Sequence, residues 1–104
     1  MNACRVVTDE GKFDSKRELN RWNELKMLER AGQIKDLQRQ VKFQIAGPVV
    51  LDGRKRPALH YIADFQYTQN GQLVVEDSKG HRTDTYRLKR HLMKSVHNIE
   101  VKET

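Results

Sequence analysis

One hundred and four residues, 33% of them charged and only 37% from the hydrophobic set, fit one domain with a thin core and exclude a second domain. Twenty Lys and Arg against 14 Asp and Glu give a formal charge of +6, which suits a polyanionic partner and equally suits a merely soluble basic protein. The lone cysteine, Cys4, excludes an intrachain disulfide and a Cys-x-x-Cys zinc site, and the four histidines show no His-Glu-x-x-His spacing.

No apolar run of about 18 residues and no signal-peptide pattern is present, so a soluble, unsecreted, cytoplasmic protein with no membrane partner is expected. A core this thin also leaves apolar surface that a homodimer could bury.

Residues 1–12 show no sustained periodicity and are expected to form a flexible N-terminal arm ahead of a single domain over 13–104. Asp14 or Ser15 can cap a helix whose apolar positions Leu19, Trp22, Leu25 and Leu28 run to the Ala31-Gly32 stop. From Leu37 to Ile45 the pattern alternates, with Val41, Phe43 and Ile45 against Gln40, Lys42 and Gln44, which predicts a strand. Ala46-Gly47-Pro48 ends it, and Asp52-Gly53-Arg54-Lys55-Arg56-Pro57 predicts a mobile basic turn before a long strand at 58–68. Beyond the next strand, Thr83 or Asp84 caps a second helix with an apolar stripe of Tyr86, Leu88, Leu92, Met93 and Val96. Ile99-Glu100-Val101 reads as a closing strand, giving an αβββαβ order and an α/β or α+β architecture of helices packed on a mixed sheet.

The hairpin at Asn70-Gly71 carries the chemistry. A two-residue turn there pairs Gln69 with Gln72, so paired numbers sum to 141 and Asp64 falls opposite Asp77. Like charges opposed across strands destabilise a sheet unless something offsets them, and a divalent cation would do so. Lys79 shares the face of both carboxylates by strand alternation. Oxygen donors suit Mg²⁺ or Mn²⁺, and two acids with an amine suit phosphodiester hydrolysis. Ile62 and Val75 are expected to make the same face partly apolar, whereas Glu76 points to the other face, opposite Phe65. A three-residue bulged turn would slip the register and put Glu76 in place of Asp77.

Glu18 has two readings. Ser15-Lys16-Arg17-Glu18 fits a capping box in which the glutamate closes the helix start, and its alignment with Trp22 and Leu25 could instead aim it at the sheet. Arg54, Lys55 and Arg56, with a basic helix face built from Arg82, Arg87, Lys89, Arg90 and Lys94, could contact phosphates or remain a solvated charge run.

Phe13-Asp14-Ser15-Lys16-Arg17-Glu18, the Leu37-to-Phe43 segment with Gln40, Ala63-Asp64-Phe65, and Val75-Glu76-Asp77-Ser78-Lys79-Gly80 together resemble the PD-(D/E)xK nuclease superfamily, and more narrowly its short phage and prophage members, over residues 12–101. The resemblance implies a single restriction-endonuclease-like domain with a central mixed sheet flanked by helices. It places the helix glutamate on Glu18, the strand aspartate on Asp64 and the acid-x-Lys pair on Asp77 and Lys79. Gln40, Thr83 and Lys89 match recurrent positions, and Thr83 at its helix N-terminus could hold a phosphate. Ala63 stands where the superfamily's name motif has proline.

The function this implies is a Mg²⁺-dependent DNA endonuclease, with Mn²⁺ able to substitute, encoded by a phage or prophage and acting in the bacterial cytoplasm. Asp64, Asp77 and Glu18 would bind metal, Lys79 would assist hydrolysis, and branched, Holliday-junction-like DNA would be the substrate. The alternative is a non-catalytic DNA-binding phage protein that keeps the fold.

Overall fold

The computed structural model describes residues 5–78 and 82–104. Two strands, β1 (Val6–Thr8) and β2 (Gly11–Phe13), pair antiparallel, so the stretch expected to be a loose arm carries a hairpin that ends on the buried ring of Phe13. Strands of three residues are too short to show periodicity, which is why sequence alone leaves them blank. Ser15 then caps α1 (Lys16–Arg30), its hydroxyl accepting the Glu18 N–H at 3.2 Å.

The chain continues through β3 (Lys35–Ala46), β4 (Val49–Leu51), β5 (Arg54–Arg56), β6 (Leu59–Gln69), β7 (Gln72–Asp77), α2 (Asp84–His97) and β8 (Lys102–Glu103). The basic stretch expected to be a mobile turn is a second hairpin: β4 and β5 pair across Asp52 and Gly53, whose φ angles of 52° and 73° are both positive, as a type I′ turn requires. Thr83 caps α2, its hydroxyl accepting the Tyr86 N–H at 3.0 Å. The closing strand starts at Lys102 rather than Ile99, because Asn98 ends α2 in the left-handed conformation (φ 56°) and Val101 turns into the core.

β3, β6, β7 and β8 form a mixed sheet in that order, antiparallel except for the parallel β7–β8 edge. The Asn70-Gly71 turn sets the expected register, from Gln69 opposite Gln72 to Phe65 opposite Glu76. Adjacent residues of β7 pack to opposite sides: Val74 joins Leu25, Ile34, Phe65 and Tyr67 beneath α1, and Val75 joins Ile45, Ala63, Tyr86, Met93 and Val101 beneath α2. Two helices therefore flank the sheet, with a separate small cluster under each.

One irregularity shapes the rest. Tyr61 and Ala63 belong to the α2 cluster, whereas Phe65 and Tyr67, of the same parity, belong to the α1 cluster, so β6 changes the face it turns inward between them. Ala63, Asp64 and Phe65 are consecutively buried at that crossing, and on β3 Gln40, which lies between the pairs Arg39–Phe65 and Val41–Ala63, adopts a φ of 52°. A regular strand would alternate there; this one buries its aspartate.

Candidate active site

The hairpin brings Asp64 and Asp77 together one step beyond the last ladder pair, Phe65–Glu76. They are 7% and 1% exposed, and Asp77 lies close enough to act on Asp64 through both hydrogen bonding and charge. Asp64 also accepts the Ser78 N–H at 2.8 Å, and the Tyr61 hydroxyl donates to Asp77. Burial, then the hydrogen bond and charge of Asp77, then the charge of Glu18 push Asp64 up to about 8, against the Ser78 N–H, which favours its ionised form. Burial and the neighbouring Asp77 likewise raise Tyr61, so it stays a donor.

Glu76 lies on the opposite face, as parity requires, and is fully buried. Arg21 of α1 grips it with two bonds, Nε to Oε1 at 2.8 Å and Nη2 to Oε2 at 2.7 Å, and the Tyr67 hydroxyl donates to the same carboxylate. Burial opposes its charge, but the bonds from Arg21 and then Tyr67 outweigh that and hold Glu76 below the usual carboxylate range. This clamp ties α1 to β7, and Glu18, one turn before Arg21, lies near enough for its charge to raise Asp64.

Glu18 serves both of its expected readings. Its N–H completes the Ser15 cap, while its carboxylate, in a residue 2% exposed, accepts from Gln40 Nε2 at 3.3 Å and Arg39 Nη2 at 3.4 Å. Burial and then the charge of Asp14 raise Glu18, opposed by the Asp14 N–H and by Arg39. Arg39 is fixed in turn: its guanidinium lies 3.7 Å from the centre of the Phe13 ring and donates to the Lys12 carbonyl at 2.7 Å. The N-terminal hairpin thus supports the site through Arg39.

Among the described residues, no group of three or more His, Cys, Asp or Glu side chains is arranged to hold a metal ion, so Glu18 completes no cage with the aspartate pair. Lys79 lies outside the described residues. Ile62, expected on the aspartate face, is half exposed; the change of face in β6 puts Tyr61 there in its place. The Ser78 and Thr104 hydroxyls lie 3.1 Å apart, and Arg17 Nε donates to the Thr104 carbonyl at 3.0 Å.

The basic residues fall in two places. Arg54, Lys55 and Arg56 form β5. Arg82, Arg87 and Arg90 line a cleft of about 450 Å³ along α2, together with His91, Lys94, Glu100 and Glu103. Some of this charge is engaged internally: Arg82 pairs with Glu103 at 2.8 Å, Arg90 Nε donates to the Val101 carbonyl at 3.0 Å, and Arg87 meets Asp84 at 3.4 Å. Thr83 uses its hydroxyl as the helix cap, and Lys89 is not among the cleft-lining residues.

Tyr61, Arg39, Arg21 and Ser78 were not legible as site residues. Tyr61 is hidden by the change of face; Arg21 had a visible signal, its place one turn after Glu18 on the buried stripe.

A family model described as protein of unknown function (DUF1064) matches residues 1–104. No curated protein and no solved structure matches the chain.

Proposed function

The chain belongs to the DUF1064 family, and we propose that it is a divalent-metal-dependent DNA endonuclease of the PD-(D/E)xK type with a restriction-endonuclease-like fold. The observation that carries this reading is the buried Asp64–Asp77 pair with Glu18 close enough to raise Asp64 further. A buried carboxyl group raised by a second and a third acid belongs to a donor set short of positive charge, and a hard cation bound through one or two carboxylates with water and substrate phosphate fits that need. Mg²⁺ or Mn²⁺ bound there supplies Lewis-acid polarisation of a phosphodiester and acidification of water.

The protein's own groups do the rest. Asp64 and Asp77 would hold the cation, with Ser78 N–H and Tyr61 OH holding one oxygen of each carboxylate in place. Glu18, raised by burial and bonded to Gln40 and Arg39, would orient the attacking water and take its proton. Lys79 offsets charge that develops on the phosphoryl oxygens. Water attacks phosphorus, the P–O bond to the leaving sugar breaks, and the leaving oxygen gains a proton.

The substrate is DNA, held by the basic hairpin and the basic cleft of α2, with branched DNA favoured and a homodimer able to cut a two-fold substrate twice. The non-catalytic DNA-binding alternative draws on one observation, the lack of a three-acid cage among the described residues. Cleavage of a four-way junction with Mg²⁺ and Mn²⁺ decides between them: activity lost in Asp64→Asn supports the nuclease, and undiminished cutting by that variant contradicts it.

A further inference from the structure

We propose that the β4–β5 hairpin is a groove-docking ribbon for duplex nucleic acid, and that it docks through one face, the one carrying Arg54 and Arg56. This rests on the nucleic-acid partner proposed above and not on turnover. All six strand residues of the ribbon are exposed, Val50 to 65%, and the two strands pair with each other and with no other described strand. A two-stranded ribbon that buries no side chain adds little to stability, so its apolar and basic side chains are left for something outside the fold.

The register divides its charges. Val49 faces Arg56, Val50 faces Lys55 and Leu51 faces Arg54, and successive pairs point to opposite sides. One side therefore carries Val49, Leu51, Arg54 and Arg56, and the other only Val50 and Lys55. The major groove of a duplex admits a two-stranded ribbon; guanidinium forks bind phosphate or guanine edges, and small apolar side chains lie against sugars and thymine methyls.

A second copy of the chain is a poor occupant. The Leu51–Arg54 pair closes the two-residue turn, so in each strand only the middle residue, Val50 or Lys55, points its backbone groups outward. Pro48 and Pro57, which lack an N–H, flank the strands and block extension of any added ladder. Stacking two such faces would set four guanidinium groups against one another. A polyanion matches the charge.

The ribbon also stands apart from the aspartates. Five strand steps of β6 lead from Leu59 to Asp64, about 17 Å at strand rise, or about five base-pair steps. It grips an arm of duplex beside the site.

The test is fluorescence anisotropy with a labelled duplex of about 20 base pairs in EDTA, read across a salt series. Arg54→Ala and Arg56→Ala are each expected to weaken binding about tenfold and to lower the salt slope by about 0.9, while Lys55→Ala changes affinity less than about twofold. Equal losses at all three positions, or no loss at any, overturn one-sided docking. Unchanged DNA affinity with a lower mass by light scattering in the Arg54→Ala/Arg56→Ala variant also overturns it, by making the ribbon a self-association element. Ribbon-dependent binding by a wild-type protein that cuts no DNA sinks the nuclease reading and leaves the ribbon standing; cutting and binding that ignore the ribbon sink the ribbon and leave the nuclease standing.

Discussion

Glu76 and Asp77 are neighbours on one strand and both are buried, yet the protein treats their two faces differently. On the α1 face Glu76 receives a guanidinium and a phenol, and its proton affinity falls. On the other face Asp77 meets a second carboxyl group, and that partner, Asp64, is pushed up to about 8. Low dielectric is common to both, so the difference lies in the counter-charge. Where the fold needs a carboxylate for itself, it provides the cation; beside Asp64 it supplies more acid, from Asp77 and Glu18. That asymmetry separates a structural clamp from a candidate site, and variants on the two faces should behave in opposite ways.

The largest expected effect is on cleavage. Asp64→Asn should lower Mg²⁺-dependent DNA cutting by at least about a hundredfold, on the scale of losing a group that acts in the transition state, while leaving the apo protein as stable as wild type or more so. Single-turnover assays with thermal unfolding of the same samples read both. Glu76→Gln should do the reverse. Breaking a buried pair from one side leaves Arg21 with only its 3.9 Å contact to Glu24 and costs about 3 kcal/mol of stability, measurable by urea unfolding, while the folded fraction keeps its metal response. Ser15→Ala, which removes the α1 cap, should cost about 1 kcal/mol by the same measurement and spare the pH behaviour described next.

The same asymmetry also predicts a slope of stability with pH. Asp64 is raised in the folded protein from an ordinary value of 3.8 to about 8, so between these pH values the folded state binds more protons than the unfolded one. Its contribution to stability is complete below pH 4 and is lost as pH rises through about 8. Metal-free protein should therefore lose melting temperature across that window, and Asp64→Asn should flatten the trend; a slope unchanged in the variant would assign it to other groups.

Much of this was readable in the sequence. Asn70-Gly71 permits one tight turn, the turn fixes the register, and the register sets Asp64 beside Asp77 and Glu76 on the far face. Ser15 and Thr83 announce both helix starts through their hydroxyls. The order of the larger elements and the flanking of a mixed sheet follow from periodicities long enough to measure.

The failures have physical causes. Short strands leave no periodic trace, so the hairpin of residues 6–13 was invisible although Phe13 and Arg39 make it part of the site's support. Asp52-Gly53 is as good a hairpin signal as Asn70-Gly71, but its run of charge suggested a loop where the structure has a ribbon. The crossing at Gln40 and Asp64 depends on a positive φ in a residue that is neither glycine nor asparagine, and no local pattern announces it. That crossing is what buries Asp64 and brings in Tyr61.

Calorimetric titration of Mn²⁺ into the apo protein at pH 7, repeated in buffers of different ionisation enthalpy, tests the central claim most directly. A cation seated between Asp64 and Asp77 must displace the proton that Asp64, pushed up to about 8, still holds at pH 7, so binding should release about one proton, and Asp64→Asn should abolish both binding and release. Binding that releases no proton, or that persists undiminished in Asp64→Asn, would contradict the claim.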